Sequence, residues 1–314
     1  MELVKAFALL VAGFFLLIKG ADFFVDGSSA LARKLKVPSL IIGLTIVAMG
    51  TSLPELSVSI TASMAGSNAL AVSNVIGSNI FNLIVVLGVS ALLLPVEVSE
   101  DVVKKELPFS VACALLLLVL GLGGMELGRG DGLILLAIFV AFLVKQVYSA
   151  LAARRGASQE EGAEKEMSLL ACFVFIVGGA TAVKFGGDFT VNGAKTIAAA
   201  LGLSENLIGL TIVAMGTSLP ELVTSVVAAR KHELDMAVGN VVGSNVFNIL
   251  MILGVAATVS PIAFIMENVI DIAILLGFSL MLWLFSATKH RIERTEGMVM
   301  LAGYAAFMAY IIIR

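Results

Sequence analysis

The sequence predicts an all-α integral membrane protein with about ten transmembrane helices, arranged as two inverted-topology five-helix repeats in which helices 2 and 7 are broken. Three observations carry this prediction. The composition is too apolar for a soluble domain, apolar runs of spanning length follow one another along the chain, and the second half repeats the first at an offset of 166 residues (Glu55 to Glu221).

Of the 314 residues, 59% are hydrophobic and 14% charged, against about 25% charged in ordinary soluble domains. Each apolar run lies near the roughly 20 residues that cross a bilayer as a helix. Lipid offers the backbone no hydrogen-bond partners, so these runs are read as helices. The alternation of a membrane barrel is absent. The net charge of −3, with no strongly basic patch, gives no sign of a nucleic-acid partner. Cys113 and Cys172 sit in apolar runs without ligand spacing and are expected to be buried, inert thiols. The N-terminal run contains Lys19 and Asp22, lacks a basic leader and is read as a retained first span.

The expected spans are 3–30, 39–64, 69–94, 106–123, 131–151, 168–192, 205–229, 235–260, 267–287 and 297–313. A short charged linker, 152–167, separates a first repeat, 1–151, from a second, 168–314. Basic residues follow the odd-numbered spans: Arg33, Lys34 and Lys36; Lys104 and Lys105; Arg154, Arg155 and Lys165; Arg230 and Lys231; Lys289, Arg291 and Arg294. The even connections hold little beyond Arg129 and Lys195. This asymmetry places the odd connections in the cytoplasm and both termini outside.

Gly43 to Leu56 reads GLTIVAMGTSLPEL, and Gly209 to Leu222 reads the same. Asn74 to Leu83, NVIGSNIFNL, returns as Asn240 to Ile249, NVVGSNVFNI. Five spans per copy is an odd number, so consecutive copies cross the membrane in opposite senses. Inverted repeats are typical of secondary transporters, whose substrate site lies near the midplane at interrupted helices in matching positions.

Those interruptions are Gly50-Thr51-Ser52-Leu53-Pro54-Glu55 and Gly216-Thr217-Ser218-Leu219-Pro220-Glu221. Proline removes a backbone donor and clashes with the preceding turn. The break is expected to free carbonyls near Ala48–Thr51 and Ala214–Thr217. Glu55 and Glu221 lie well inside their spans, where a carboxylate costs about 2.5–3.5 kcal/mol on insertion scales. A protonated, structural glutamate is conceivable once; two in identical broken helices argue for function. Asn74, Ser78 and Asn82 share a helical face, as do Asn240, Ser244 and Asn248. Asn74, Asn79 and their counterparts are read as polar glue between helices, with Gly77 and Gly243 allowing close approach. Ser78, Asn82, Ser244 and Asn248 are candidate ligands. Every candidate atom is oxygen, while His232 and His290 fall in loops, and all-oxygen sites suit sodium and calcium. Asp22 and Asp188 have Lys19 and Lys184 beside them and are read as paired structural residues.

The doubled G-T-S-L-P-E and G-S-N-x-F-N segments resemble the two alpha repeats of the sodium/calcium exchanger (cation/calcium antiporter) family, over essentially the whole chain. The resemblance implies a calcium site shared with sodium sites, with about three sodium ions exchanged for each calcium. It implies metal ligation by Glu55 and Glu221, by the hydroxyls of Thr51, Ser52, Thr217 and Ser218, and by the carbonyls of Ala48 and Ala214. Ser78 and Ser244 would line outer sodium sites, and spans 1 and 6 would slide across the rest. Many relatives carry an aspartate at one of the positions of Asn82 and Asn248; here both are asparagine, which leaves the site two formal negative charges. The expected partners are sodium, calcium and the lipid bilayer, with no cofactor and no obligatory protein partner, in a prokaryotic inner membrane. A calcium/proton antiporter is the alternative reading, a cation channel a more distant one, and an enzyme more distant still.

Overall fold

A computed structural model describes residues 2–64, 68–156, 167–203, 212 and 214–313. The first helix, α1 (Glu2–Leu35), outruns its expected limits, as does α6 (Leu169–Ala200). Helix α2 is broken into Ser39–Thr51 and a piece running from Leu53 to Met64. Then come α3 (68–93), α4 (Val102–Leu122) and α5 (Arg129–Gly156). In the second half, α7 consists of Ala214–Gly216 and Leu219–Arg230, followed by α8 (Leu234–Val259), α9 (Met266–Lys289) and α10 (Arg294–Ile313). Eight of the described helices are long and apolar enough to cross a membrane, and the bent α2 pair makes a ninth. Most of the N-terminal part of the expected span 205–229, and most of the linker, lie outside the described residues.

Burial sorts these helices into layers. In the most apolar stretches of α3 and α8, 83% of residues are buried, against 22% in α1, α5 and α6. The centre is therefore α3 and α8. The apolar outer surfaces, such as Phe7, Phe15, Leu170 and Phe173, are exposed, as a lipid-facing layer requires.

The connections sort into two groups. Strand β1 (Val96–Glu97), after α3, pairs antiparallel with β4 (Arg291–Ile292), after α9. Strand β2 (Glu126–Leu127), after α4, pairs with β3 (Ile262–Ala263), after α8. A cavity of about 620 Å³ gathers Glu97, His232 and His290 from the connections after α3, α7 and α9, with Ser39 and Asp235 from the first turns of α2 and α8. Beside it, Arg291 (2.8 Å) and Lys289 (3.0 Å) bond Glu293 and hold its carboxyl below the usual carboxylate range.

Several contacts recur in both copies. Helix α10 packs on α3 as α5 packs on α8. The offset is 166 through Pro95 and Pro261, then falls to 165: left-handed Met125 matches His290, and Leu127 matches Ile292. The second copy is thus one residue shorter before its last helix, a loss absorbed in the connection while the strand pairing is kept.

Helices α1 and α6 pack antiparallel along glycines seven residues apart: Gly13, Gly20 and Gly27 on one, Gly179, Gly186 and Gly193 on the other. A Cβ on Gly20 would lie 2.7 Å from Val183 N, and one on Gly179 would lie 2.5 Å from Phe24 N. The two backbones touch, so no side chain fits between them. Against the broken helices the contact is different: Phe24 fills the space over Gly50, and Val191 the space over Gly216.

Glu106 in α4 is buried and accepts from Lys145 Nζ (2.7 Å) and Gln146 Nε2 (3.3 Å) of α5. Removing one partner of such a pair strands the other's charge, whereas replacing both with apolar groups is often neutral. Lys145→Met is expected to lower the thermal midpoint of the purified protein, and Glu106→Met with Lys145→Met to recover most of it.

Candidate cation site

The site begins with the two helix breaks. The pieces of α2 meet at 46° about Ser52, and α7 breaks at Thr217 and Ser218. Pro54 and Pro220 cannot donate to the turn before them, which is why the breaks fall there. Each break starts a new helix carrying its glutamate in the first turn, where the helix dipole favours negative charge.

Both carboxyls are completely buried, and each is held by the other repeat. Ser52 Oγ donates to Glu221 Oε1 at 2.8 Å, and Ser218 Oγ donates to Glu55 Oε1 at 3.2 Å. The second oxygen of each, Glu55 Oε2 and Glu221 Oε2, is buried with no hydrogen-bond partner among the described residues. The breaks therefore face one another, and four of the expected residues come together by exchange between the two halves of the chain.

Thr51 closes on the opposite repeat too. Its hydroxyl lies 3.1 Å from Asn240 Oδ1 and 3.5 Å from Ser244 Oγ. The Ala48 carbonyl, expected to be freed by the break, accepts from Ser52 N (3.1 Å), Thr51 Oγ1 (3.3 Å) and Ser244 Oγ (3.4 Å). It is engaged because the Ser52 N–H and the Thr51 hydroxyl turn back onto the same turn of helix while Ser244 reaches it from α8. Thr217 Oγ1 and Ser78 Oγ, at the matching positions of the other half, are buried without partners among the described residues. Ala214 opens the described part of α7; its side chain is outside the described residues.

Asn82 and Asn248 each open a π-type turn, 82–86 and 248–252. Such turns are frequent at functional positions. The first packs on α7, which carries Glu221, and the second on the half of α2 that carries Glu55. Both side chains are fully buried, and both Oδ1 atoms lack a partner among the described residues. Their Nδ2 groups are occupied: Asn82 donates to Asn245 Oδ1 at 3.2 Å, and Asn248 to Asn79 Oδ1 at 3.0 Å.

Asn79 and Asn245 also tie α3 to α8 through each other's backbone, Asn79 Nδ2 to Asn245 O (3.2 Å) and Asn245 Nδ2 to Asn79 O (3.1 Å). Asn74 donates to Ser59, and Asn240 to Ser225. The glue reading thus describes Asn74 well but understates Asn240, which meets Thr51, and also Asn79 and Asn245, which touch the candidate ligands Asn248 and Asn82 directly. Their three-residue spacing from Asn82 and Asn248 was the available signal. Gly243 does allow close approach, since a Cβ there would lie 2.6 Å from Leu44 O. The residue matching Leu44 in the other copy, Leu210, is outside the described residues, so the contact expected at Gly77 is not described.

The remaining ionisable residues stand apart from this centre. Asp22 pairs with Lys19 (3.5 Å) and Lys231 (3.4 Å), and Asp188 with Lys184 (2.8 Å). Cys113 and Cys172 are buried free thiols. Among the described residues no group of three or more histidine, cysteine, aspartate or glutamate side chains could hold a metal ion. The centre is instead two carboxylates surrounded by neutral hydroxyls and amides, a donor set suited to hard cations.

The family model described as sodium/calcium exchanger protein matches residues 5–148 and 171–313. The chain is 35% identical to the inner membrane protein YrbG of Escherichia coli (strain K12), over 98% of this chain and 97% of that one. It is 33% identical to the sodium/calcium exchanger MaX1 of Methanosarcina acetivorans, over 96% and 97%. A solved structure of the sodium-calcium exchanger NCX_Mj, soaked with sodium and strontium, matches with a TM-score of 0.85 and 34% identity over 98% of each chain. With the family match running through both repeats and the backbone agreeing along nearly its whole length, this multi-pass membrane protein belongs to the sodium/calcium exchanger family.

Proposed function

We propose that the chain is a secondary active antiporter exchanging sodium for calcium by alternating access at a mid-membrane site. The ligands in this reading are Glu55, Glu221, Thr51, Thr217, Ser52, Ser218, Ala48, Ala214, Ser78, Ser244, Asn82 and Asn248. The observation that carries it is the set of buried side-chain oxygens without partners among the described residues: Glu55 Oε2, Glu221 Oε2, Asn82 Oδ1, Asn248 Oδ1, Ser78 Oγ and Thr217 Oγ1. In a dry interior, lone acceptors are costly. A hard cation repays them all at once, and calcium takes about 6–8 oxygens.

Charge balance explains the coupling. One calcium neutralises the two carboxylates, and so do two sodium ions. A closed, empty site would leave two uncompensated charges in low dielectric, which opposes switching without cargo. A third sodium would carry net charge across the membrane and make exchange voltage-sensitive, by about 2.3 kcal/mol per charge per 100 mV. Helices α1 and α6, joined backbone to backbone, would move as one body past α2 and α7. The basic connections after odd-numbered spans support a cytoplasmic location for the face holding the 620 Å³ cavity, with both termini outside. The two five-helix units, 1–151 and 168–314, joined by 152–167, would each contribute one helix to that moving pair.

Two protons could also neutralise the carboxylates, so calcium/proton antiport is the competing reading. Proteoliposomes separate the two. Calcium uptake is expected when sodium is loaded inside and absent outside, and is expected to persist when the pH gradient is collapsed. Uptake that follows the pH gradient and ignores sodium would overturn sodium coupling and favour the proton reading.

A further inference from the structure

We infer that Asn79 and Asn245 are positioning residues that aim the side-chain carbonyls of Asn82 and Asn248 at the transported cation, an inference that rests on the site proposed above. An asparagine amide has one donor end and one acceptor end, and only the acceptor end can meet a cation. Placing an asparagine on the right helix face does not settle which end points inward.

Here the neighbours settle it. Asn245 Nδ2 donates to the backbone carbonyl of Asn79 at 3.1 Å, a partner that can only accept. Turned over, Asn245 would set its own oxygen against that carbonyl. With Asn245 so fixed, its Oδ1 takes Asn82 Nδ2 at 3.2 Å, and the remaining atom of that amide, Asn82 Oδ1, is left without a partner among the described residues. The same chain runs the other way, from the Asn245 carbonyl through Asn79 (3.2 Å) to Asn248 (3.0 Å), leaving Asn248 Oδ1 alone. All four side chains are buried.

Adhesion between α3 and α8 is already served by the Asn79 and Asn245 bonds to backbone. It gives no reason to keep two further amides whose oxygens are left unpaired in a dry interior, where that costs free energy. Presenting those oxygens to cargo does. The π-type turns that begin at Asn82 and Asn248 coincide with the two presented groups.

The test uses full-length protein in proteoliposomes, with calcium itself as probe. Asn245→Leu keeps the side chain's approximate shape and removes its hydrogen bonds. It is expected to raise the KM for calcium about tenfold, the scale of one lost hydrogen bond, with kcat changed less. In the Asn82→Asp background, Asn245→Leu is expected to add less than about a twofold further rise, because a carboxylate presents oxygen whichever way it turns. An unchanged KM in Asn245→Leu, or fully additive effects in the double variant, would overturn the inference. If Asn245→Leu gives no monodisperse protein, Asn79→Leu is read by the same measurements, with Asn248→Asp as its background, since Asn79 orients Asn248, and failure of both to fold would assign the ring to structure alone and overturn it. Glu55→Gln is the separating control. Retained transport there defeats the cation site and the inference with it. Lost transport there, with Asn245→Leu unaffected, defeats the inference alone.

Discussion

Calcium uptake driven by a sodium gradient is expected to fall at least about a hundredfold in Glu55→Gln and in Glu221→Gln, roughly 3 kcal/mol of lost cation stabilisation. Glutamine fills the same volume and leaves an oxygen for Ser218 or Ser52, which bond Glu55 and Glu221 across the repeats. The substitution therefore removes charge with little change of shape. Because each carboxyl is completely buried, its loss is not screened by water, and one remaining charge cannot balance a divalent ion. Thermal unfolding gives a second readout. A ligand bound only by the folded protein stabilises it by about 2.7 kcal/mol at a hundred times its Kd. Calcium should raise the midpoint of the unaltered protein and leave both variants unmoved. Near-normal flux in the doubly substituted protein would place transport elsewhere.

The second large effect is expected at the glycine seam. Gly178 and Gly179 are adjacent on α6, yet a Cβ on Gly178 meets nothing within 4 Å among the described residues, while one on Gly179 lies 2.5 Å from Phe24 N and 2.8 Å from Gly20 O. The obstacle is backbone, which cannot step aside as a flexible side chain can. Overpacking costs about 1–3 kcal/mol even where neighbours adjust. Gly179→Leu is expected to separate α1 from α6, with a lower thermal midpoint, less monodisperse protein and little exchange. Gly178→Leu should behave like the unaltered chain, since its side chain points outward. Equal behaviour of the two would mean that the helices do not pack along this seam.

Much of this was legible along the chain. Spanning helices follow from apolar run length, the repeat from identity of the two motifs, and the breaks from Pro54 and Pro220, because each is a local or one-dimensional property. The cost of carrying Glu55 and Glu221 through lipid singled out the centre without any contact being known. The limits of α1 and α6 were read too short, since their polar ends dilute the apolar signal while the backbone stays helical. The step in the repeat offset after Pro261 was missed because it falls where the two copies share few residues.

What sequence alone determined is membrane residence, the doubled architecture and the pair of acidic residues, since hydrophobic run length and helix-breaking residues act locally. Only tertiary structure decided that Ser52 serves Glu221 rather than Glu55, that Ala48 O is already engaged, and that Asn79 and Asn245 set the direction of two amides. These partners lie about half the chain apart. Hydrogen bonds are directional and short-ranged, so which end of an amide meets which atom emerges only once α3 and α8 have crossed.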